Sequence, residues 1–273
     1  MRVQWVVMLA LCGAERAAAA ATWVVPDDFP TVADAVTAAA DGDVVEVGPG
    51  TWTGSVVATV DLSIVGTGGS AVTTLDGQDG LALSAGPGVA LSVTGFTITA
   101  AAGTTRLAGA VAAFGDVVFT GSADIALVAT NTELSLVACR FERNARHLDV
   151  DGGTLTSTDT TWGENGGIGA YLNNASSTIT GGTVLADVYS QGGASTFVMS
   201  GTAIVDAFLF LDGGTLTGAT VTGNAYIGAD DLTITDTLFD GVLGIQGMAL
   251  SGDSVVSGNV FRGCRTEYDL VDA

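Results

Sequence analysis

Ionisable side chains are concentrated between Arg140 and Asp151. This stretch holds three of the chain's eight arginines, its one histidine and several carboxylates. Arg143, His147 and Asp149 are the candidate catalytic residues, because a cation, an imidazole and a carboxylate can share acid–base work. The same composition is typical of a solvated turn whose charges compensate an acidic surface, and we favour that interpretation.

Three aspartates form a second candidate site. Asp212 and Asp231 fall at equal offsets in two neighbouring copies of a repeat, and Asp230 precedes the second. Carboxylates about 5 Å apart would repel, raise one pKa, and either bind calcium or act as an acid–base pair. Asp212, Asp230 and Asp231 are therefore the candidate substrate-binding residues, and a calcium site at Asp212 and Asp231 stays open. The flanking sequences look like ordinary turns, and we favour that interpretation.

The composition limits the partners. The 273 residues carry a net charge of −21, and all eight basic residues are arginine. Because polyanions repel polyanions, the charge argues against nucleic acid and anionic membrane surfaces. A polyanionic polysaccharide would need a bridging cation. The 39 glycines against 4 prolines indicate the many tight turns of an all-β protein.

Residues 1–21 have the pattern of an export signal. Arg2 precedes an apolar core over residues 3–11, and small residues over 17–21 offer cleavage sites. Cys12 resembles a lipidated cysteine, although leucine stands where a small residue is expected, so lipidation stays open. No other segment is apolar enough to span a membrane as a helix. We expect the mature chain to be secreted or held at the extracellular face of the envelope.

The elements that would position these residues begin with a strand and a capping helix over residues 22–43. Thr31 is a typical N-cap residue, and Val32, Ala35 and Val36 form one narrow apolar stripe. A narrow stripe of valine and alanine is too small for a core helix. It predicts a lid on the open end of a stack of strands.

A repeat supplies that stack. It has eight positions. Positions 1 and 3 are apolar, position 6 is small or polar, position 8 is apolar or aromatic, and the other positions hold any residue. Copies begin at Val45, Leu91, Leu134, Leu155, Phe197, Leu232 and Ser254, with weaker copies at Leu62, Ser177 and Leu216. One copy cannot bury its apolar side alone, whereas stacked copies pair their strands in parallel at roughly 4.8 Å around one inner column. Asp-Gly pairs such as Asp76-Gly77 keep a β-sandwich as the alternative.

The N-terminal part of the chain also resembles a known family. The resemblance covers residues 22–99 and rests on the segments Val25-Pro26-Asp27-Asp28-Phe29-Pro30-Thr31-Val32, Gly42-Asp43-Val44-Val45, Pro49-Gly50-Thr51-Trp52, Leu62-Ser63-Ile64-Val65-Gly66, Thr74-Leu75-Asp76-Gly77 and Gly95-Phe96-Thr97-Ile98. They look like the N-terminal signature of exported right-handed parallel β-helix proteins of the pectin-lyase-like superfamily. The resemblance implies this fold, an extracellular or envelope location and frequent carbohydrate contact, but not catalysis.

The same resemblance bears on the candidate sites. Glycoside hydrolases of this fold use clustered aspartates, which is a reason to examine Asp212, Asp230 and Asp231. Polysaccharide lyases of this fold use calcium-binding acids and a basic arginine or lysine. Because this chain has no lysine, an arginine would have to serve.

The predicted fold is therefore all-β. We expect a single-stranded right-handed parallel β-helix of about ten rungs over residues 44–263, an N-terminal α-helical cap, and a polar tail over 264–273. Residues 100–116 fit the repeat badly and are predicted to leave the stack. Asn144 and Asn165 are predicted to stack at a turn. Cys139 and Cys264 lie about six rungs apart, so no disulfide is expected between them.

Two classes of function remain open. The first is a non-catalytic secreted or surface β-helix that contacts a polysaccharide or cell-surface glycan, in adhesion or envelope structure, without a required cofactor. The second is a polysaccharide lyase or glycoside hydrolase. The sequence lacks a complete set of active-site motifs, which favours the first class.

Overall fold

The computed structural model describes residues 19–101, 105–163, 168–192, 196–241, 245–246, 248–251, 253–264 and 266–267. Side chains are described up to residue 241 and again over 253–264. Over these ranges the chain is a right-handed parallel β-helix of about 10 turns with one short helix. The predicted fold is confirmed. The β-sandwich is wrong, because the strands pair in parallel along the whole stack.

Short strands follow one another along the chain because apolar and polar residues alternate and turn residues recur. The first ten are β1 Thr22–Val25, β2 Asp43–Val47, β3 Gly50–Thr53, β4 Val56–Ala58, β5 Leu62–Gly66, β6 Thr73–Asp76, β7 Leu83–Ala85, β8 Ala90–Thr99, β9 Thr105–Ala108 and β10 Val111–Thr120. The next ten are β11 Ile125–Val137, β12 Arg140–Glu142, β13 Arg146–Thr158, β14 Thr161–Trp162, β15 Ile168–Asn173, β16 Ser176–Thr180, β17 Thr183–Val184, β18 Asp187–Gln191, β19 Phe197–Ser200 and β20 Ala203–Val205. The last nine are β21 Phe208–Thr217, β22 Thr220–Thr222, β23 Tyr226–Thr235, β24 Leu238–Asp240, β25 Ile245–Gln246, β26 Met248–Ser251, β27 Val255–Ser257, β28 Val260–Arg262 and β29 Thr266–Glu267.

Each rung contributes strand segments to three faces. The first face starts with β1 on β2, the second with β3 on β6, and the third with β4 on β7. Longer strands such as β10, β11 and β13 pass round a corner and contribute to two faces. Residues at equal positions of successive rungs therefore become vertical neighbours on one face.

The interior holds continuous columns of apolar side chains. The column inside the second face comprises Trp52, Leu75, Ile98, Phe119, Phe141, Trp162, Val184, Ile204, Val221, Phe239 and Phe261. The rings of Phe119 and Phe141 stack with centroids 4.7 Å apart and an interplanar angle of 11°. The aromatic position of the repeat thus points inward, and Trp162 is buried.

Two corners are set by residues in the left-handed backbone conformation. After the first face, these residues have φ between +50° and +77°, and they are Gly95, Asp116, Ala138, Asp159, Gly181, Gly201, Gly218, Asp236 and Gly258. Between the third face and the first, they are Gly88, Gly109, Asn131, Gly152, Asn174, Gly192, Gly213 and Asp231. Glycine, asparagine and aspartate adopt this conformation most readily, so the corners explain much of the chain's composition.

The N-terminal end is covered by helix α1, Val32–Ala38, as predicted. The Thr31 side chain caps it by accepting from the Asp34 N–H, and Val32, Ala35 and Val36 are buried. Asp43 ties this cap to the first rung, since its carboxylate accepts from the N–H groups of Ala21 and Ala40 at 2.7 and 2.9 Å. These backbone donors, with the Trp23 indole, hold the pKa of Asp43 below its usual value.

Two copies of the repeat were placed in the wrong register. Asp43, not Val45, is aligned with Leu62, and Gly214, not Leu216, is aligned with Leu232. A displacement by two residues keeps every inward side chain inward, so alternation alone cannot reveal it. Residues 105–108 and 111–116 belong to β9 and β10 inside the stack, so the prediction that residues 100–116 leave it is wrong over these segments.

The ends of the chain and the cysteines complete the comparison with the sequence. The predicted signal, its cleavage sites and Cys12 lie outside the described residues. In the tail, Thr266–Glu267 pairs in parallel with Ile245–Gln246. Cys139 and Cys264 are both free thiols, as predicted, and burial raises the pKa of Cys139 to about 11. Among the described residues no helix is long and apolar enough to cross a membrane.

Gly182 and Gly201 test how the corners limit substitution. Both have positive φ, but a Cβ on Gly182 would lie 2.1 Å from the Thr160 carbonyl oxygen, whereas the nearest atom to one on Gly201 is 4.0 Å away. Gly201→Ala should lower the free energy of unfolding by about 1–2 kcal/mol, because alanine is disfavoured in the left-handed conformation. Ala138 already adopts this conformation in the same corner. Gly182→Ala should cost clearly more. Thermal unfolding followed by circular dichroism measures both, and equal losses would contradict the steric account.

Candidate functional site

Arg143 lies at a corner of the helix with φ +55°. Its side chain is exposed, and one guanidinium nitrogen lies 2.9 Å from a carboxylate oxygen of Glu142. Arg140 contacts the same carboxylate at 3.4 Å. These exposed ion pairs agree with the interpretation of this stretch as a solvated turn, and such pairs contribute little to stability.

His147 is fully buried. Its Nε2–H donates to the Gly163 carbonyl at 2.7 Å, and its Nδ1 accepts from the Asn144 amide at 3.3 Å. Burial lowers the pKa of His147 below its ordinary value, so the ring is neutral near pH 7. The imidazole therefore lies inside the wall of the β-helix, and both of its nitrogens are hydrogen-bonded.

Asn144 connects His147 to the preceding rung. Its side-chain oxygen accepts from the Ser122 N–H and its amide donates to the Phe119 carbonyl, both at 3.0 Å. Asn259 makes the same pair of contacts with the Thr237 N–H and the Ile234 carbonyl. Asn144 therefore satisfies buried backbone groups, while its predicted stacking partner Asn165 lies outside the described residues.

Asp149 lies on the outer side of β13, on the third face. Burial raises its pKa, and the opposite effect of Arg146, whose guanidinium is 3.5 Å away, offsets part of that rise. Asp151 follows on the same outer side and also raises the pKa of Asp149. The three candidate catalytic residues therefore divide between the interior, which holds His147, and the exterior, which holds Arg143 and Asp149.

The three aspartates Asp212, Asp230 and Asp231 are all exposed, but their pairing differs from the prediction. Asp212 is aligned with Asp230, and Asp231 occupies the left-handed corner position aligned with Gly213. The two rungs place different numbers of residues between their strands, so counting from the repeat start loses the register. The inferred alignment of Asp212 with Asp231 is wrong.

The predicted calcium pair also has other partners. Asp212 accepts from the Gly192 N–H at 3.0 Å, and Asp231 accepts from the Asp253 N–H at 2.6 Å. In the described ranges no three histidine, cysteine, aspartate or glutamate side chains come together as a metal-binding group. Calcium takes six to eight oxygen ligands, so Asp212 and Asp231 do not fit a calcium centre by themselves.

The structure reveals a polar array that the sequence analysis missed. Outward residues at one position of the third face in five successive rungs are Asp151, Asn173, Gln191, Asp212 and Asp230, which we call the acceptor column. The five side chains are exposed, and the Asn173 amide donates to Asp151 at 3.0 Å. Successive members are therefore separated by roughly the strand spacing of 4.8 Å.

An aromatic ladder of Tyr171, Tyr189 and Phe210 runs beside the acceptor column. Ring centroids are 5.1 Å apart between the tyrosines and 4.8 Å apart between Tyr189 and Phe210, with nearly parallel planes. The Arg146 guanidinium lies 5.2 Å from the Tyr171 centroid, and Tyr226 tilts against Phe210 at 5.3 Å. Neighbouring groups cover the ring faces, so the ladder stabilises the stack and leaves ring edges for a ligand.

A shallow groove of about 390 Å³ connects these two features. Its lining residues are Ser190, Gln191, Phe210, Leu211, Asp212, Gly228, Ala229 and Asp230. One signal could have identified the site in the sequence, since Tyr171, Tyr189 and Phe210 each stand two residues before a member of the acceptor column. Residues two positions apart along a strand have their side chains on the same side of the sheet.

Comparisons with known proteins add little to this geometry. No family model matches the sequence. No curated protein matches it either. Among solved structures, the chain is similar to a pectin methylesterase from carrot, with 11% identity, a TM-score of 0.44, and coverage of 91% of this chain and 88% of that chain.

Acid should destabilise the protein through His147. The unfolded imidazole takes up a proton near pH 6.5, whereas the buried ring does so only at lower pH. Between these values the unfolded state binds more protons, so the free energy of unfolding falls as the pH falls below about 6.5. We expect melting temperature to drop between about pH 7.5 and about pH 5.5, and to drop less in His147→Gln. Identical pH profiles would show that His147 makes no such contribution.

Proposed function

We propose that the protein is an exported, non-catalytic β-helix that binds a glycan along the acceptor column of its third face. The observation that carries this proposal is the in-register series of exposed carboxylate and amide groups beside a shallow groove. A repeating row of acceptors suits a repeating partner that is rich in hydroxyl donors.

Hydrogen bonding supports this choice. The carboxylates of Asp212 and Asp230 can accept from sugar hydroxyls, and hydrogen bonds to ionised acceptors are stronger than neutral ones. The amides of Asn173 and Gln191 can both donate and accept. The acceptor column continues beyond the groove through Asn173 and Asp151, so a polymer could extend along it.

Charge narrows the class of glycan. The chain carries a net charge of −21, and three of the five acceptor-column residues are aspartates. An acidic polysaccharide would be repelled at low ionic strength unless a cation bridged the two. We therefore propose a neutral or amino-sugar glycan, and calcium enters only as the bridge that an acidic glycan would require.

The cellular location of the protein is proposed from its sequence. Residues 1–21 have the pattern of an export signal, and an exported chain meets cell-surface and extracellular glycans. The proposal places the mature protein outside the cell or on its envelope, in adhesion or envelope structure.

One observation favours the enzyme as a second candidate. Asp149 has a raised pKa and stands next to Asp151 on the outer side of one strand. Two neighbouring carboxyl groups, one of them with a raised pKa, are what acid–base hydrolysis of a glycosidic bond uses. Asp149 would then be the proton donor of a glycoside hydrolase or lyase.

A glycan array tests the binding proposal. We expect the mature chain to bind neutral or amino-sugar glycans without calcium, and Asp230→Asn to weaken this binding because a charged acceptor becomes a neutral amide. Asp79→Asn is the matched control, since Asp79 is exposed on a turn near the N-terminal end. Equal binding by both variants, or no binding by the folded wild type, would refute the proposal.

Product assays separate the two candidates. The protein is incubated with the bound glycan, and reducing ends and unsaturated products are measured. We expect neither product from the wild type. If the wild type forms product and Asp149→Asn does not, the protein is an enzyme and the non-catalytic binding function is refuted.

A further inference from the structure

The outer side of the first face carries a regular array of hydroxyl groups, on another face of the same rungs than the acceptor column. In five successive rungs, the two outward residues of the strand form the pairs Thr156/Thr158, Thr178/Thr180, Val198/Ser200, Thr215/Thr217 and Thr233/Thr235. We call these ten residues the hydroxyl face. Nine of its ten side chains are threonine or serine.

The array repeats in two directions. The pairings are in register through all five rungs, without a bulge, so neighbouring rungs repeat at roughly 4.8 Å. Along each strand the two outward residues are two positions apart, which is roughly 6.6 Å. The strands of this face therefore present two parallel rows of short side chains.

Hydrogen bonds within the rows help to order the side chains. The Thr235 hydroxyl donates to Thr217 at 3.0 Å, and the hydroxyls of Thr180 and Ser200 are 3.4 Å apart. Threonine is branched at Cβ, which also restricts its χ1 rotation. A ligand would meet hydroxyl and methyl groups already held in position, so little conformational entropy is lost on binding.

The chemistry of the hydroxyl face differs from that of the third face. None of its ten residues is charged or aromatic, although the whole chain has a net charge of −21. In the same rungs the third face carries Asp187, Asp212 and Asp230. A charged ligand has no counter-charge on the hydroxyl face, and a sugar ring has no aromatic side chain there to pack on. The partner that fits is uncharged and periodic.

We propose that the hydroxyl face binds ice. Each threonine offers one hydroxyl, which can replace a water in a hydrogen-bonded network, and one methyl group, which fills the space beside it. A rigid two-dimensional array of such groups can hold a layer of ordered water. That layer can merge with the surface of an ice crystal, which is uncharged and periodic. This function uses another face from the proposed glycan site and does not depend on it.

Thermal hysteresis and inhibition of ice recrystallisation test the proposal on the whole mature chain. We expect the wild type to shape ice crystals and to inhibit recrystallisation. Thr178→Tyr, at an exposed position within the array, should lose most of this activity because the ring prevents close approach of the lattice. Thr220→Tyr is the matched control on the second face and should retain it.

A gain of function gives a second, independent arm. Val198 is the one apolar member of the hydroxyl face and is 36% exposed. Val198→Thr completes the one row that lacks a hydroxyl group, with almost no change in side-chain volume, and should increase the hysteresis. Circular dichroism confirms that each variant is folded.

Several results would overturn the proposal. These are no ice shaping by the folded wild type, equal activity of Thr178→Tyr and Thr220→Tyr, or unchanged or weaker hysteresis in Val198→Thr. Co-sedimentation with an insoluble neutral polysaccharide that depends on Thr178, without ice shaping, would identify a different occupant. Asp230→Asn changes the third face and not the hydroxyl face. Loss of glycan binding in that variant therefore says nothing for or against ice binding.

Discussion

Parallel, in-register pairing of each strand with the equivalent strand one rung earlier is the constraint on which the whole molecule depends. The pairing fixes where each rung must turn, so left-handed residues recur at equal corners, from Gly95 to Gly258 after the first face. It also fixes which side chains point inward, because side chains alternate across a strand. A substitution that disturbs one corner therefore affects the rungs on both sides of it.

Several polar side chains in the wall of the β-helix are hydrogen-bonded to neighbouring rungs. Asn144 and Asn259 fill equivalent roles, since each bridges a carbonyl and an N–H of the preceding rung. His147 joins this arrangement through Asn144 and Gly163, which explains how the chain's one histidine can be fully buried. His147, which looks chemically active in the sequence, thus serves the wall of the β-helix, because an unpaired buried polar group would be costly.

The exterior turns the same repeat into surfaces of different chemistry. On the third face, the acceptor column and the aromatic ladder place charged and aromatic groups side by side. On the first face, the hydroxyl face has neither charge nor ring over five rungs. Each surface has the strand spacing of roughly 4.8 Å as its period, so each is suited to a partner that repeats. The two proposed functions follow from that shared period and from the separate chemistry of the two faces.

The sequence alone determined the class of fold and the capping helix from Thr31, because these depend on local alternation and on capping. It also determined the unpaired cysteines, because too many rungs separate them for a disulfide. It could not determine which residues share a column. Asp212 pairs with Asp230 instead of Asp231, and Tyr171, Tyr189 and Phe210 form one ladder, because rungs differ in length and only strand pairing restores their alignment. The burial of His147 was decided in the same way, since its partners come from Gly163 and from Asn144, which is itself held by the preceding rung. Periodicity is a local property of the chain, whereas register is set by contacts between residues some twenty positions apart, as with Asn173 and Gln191.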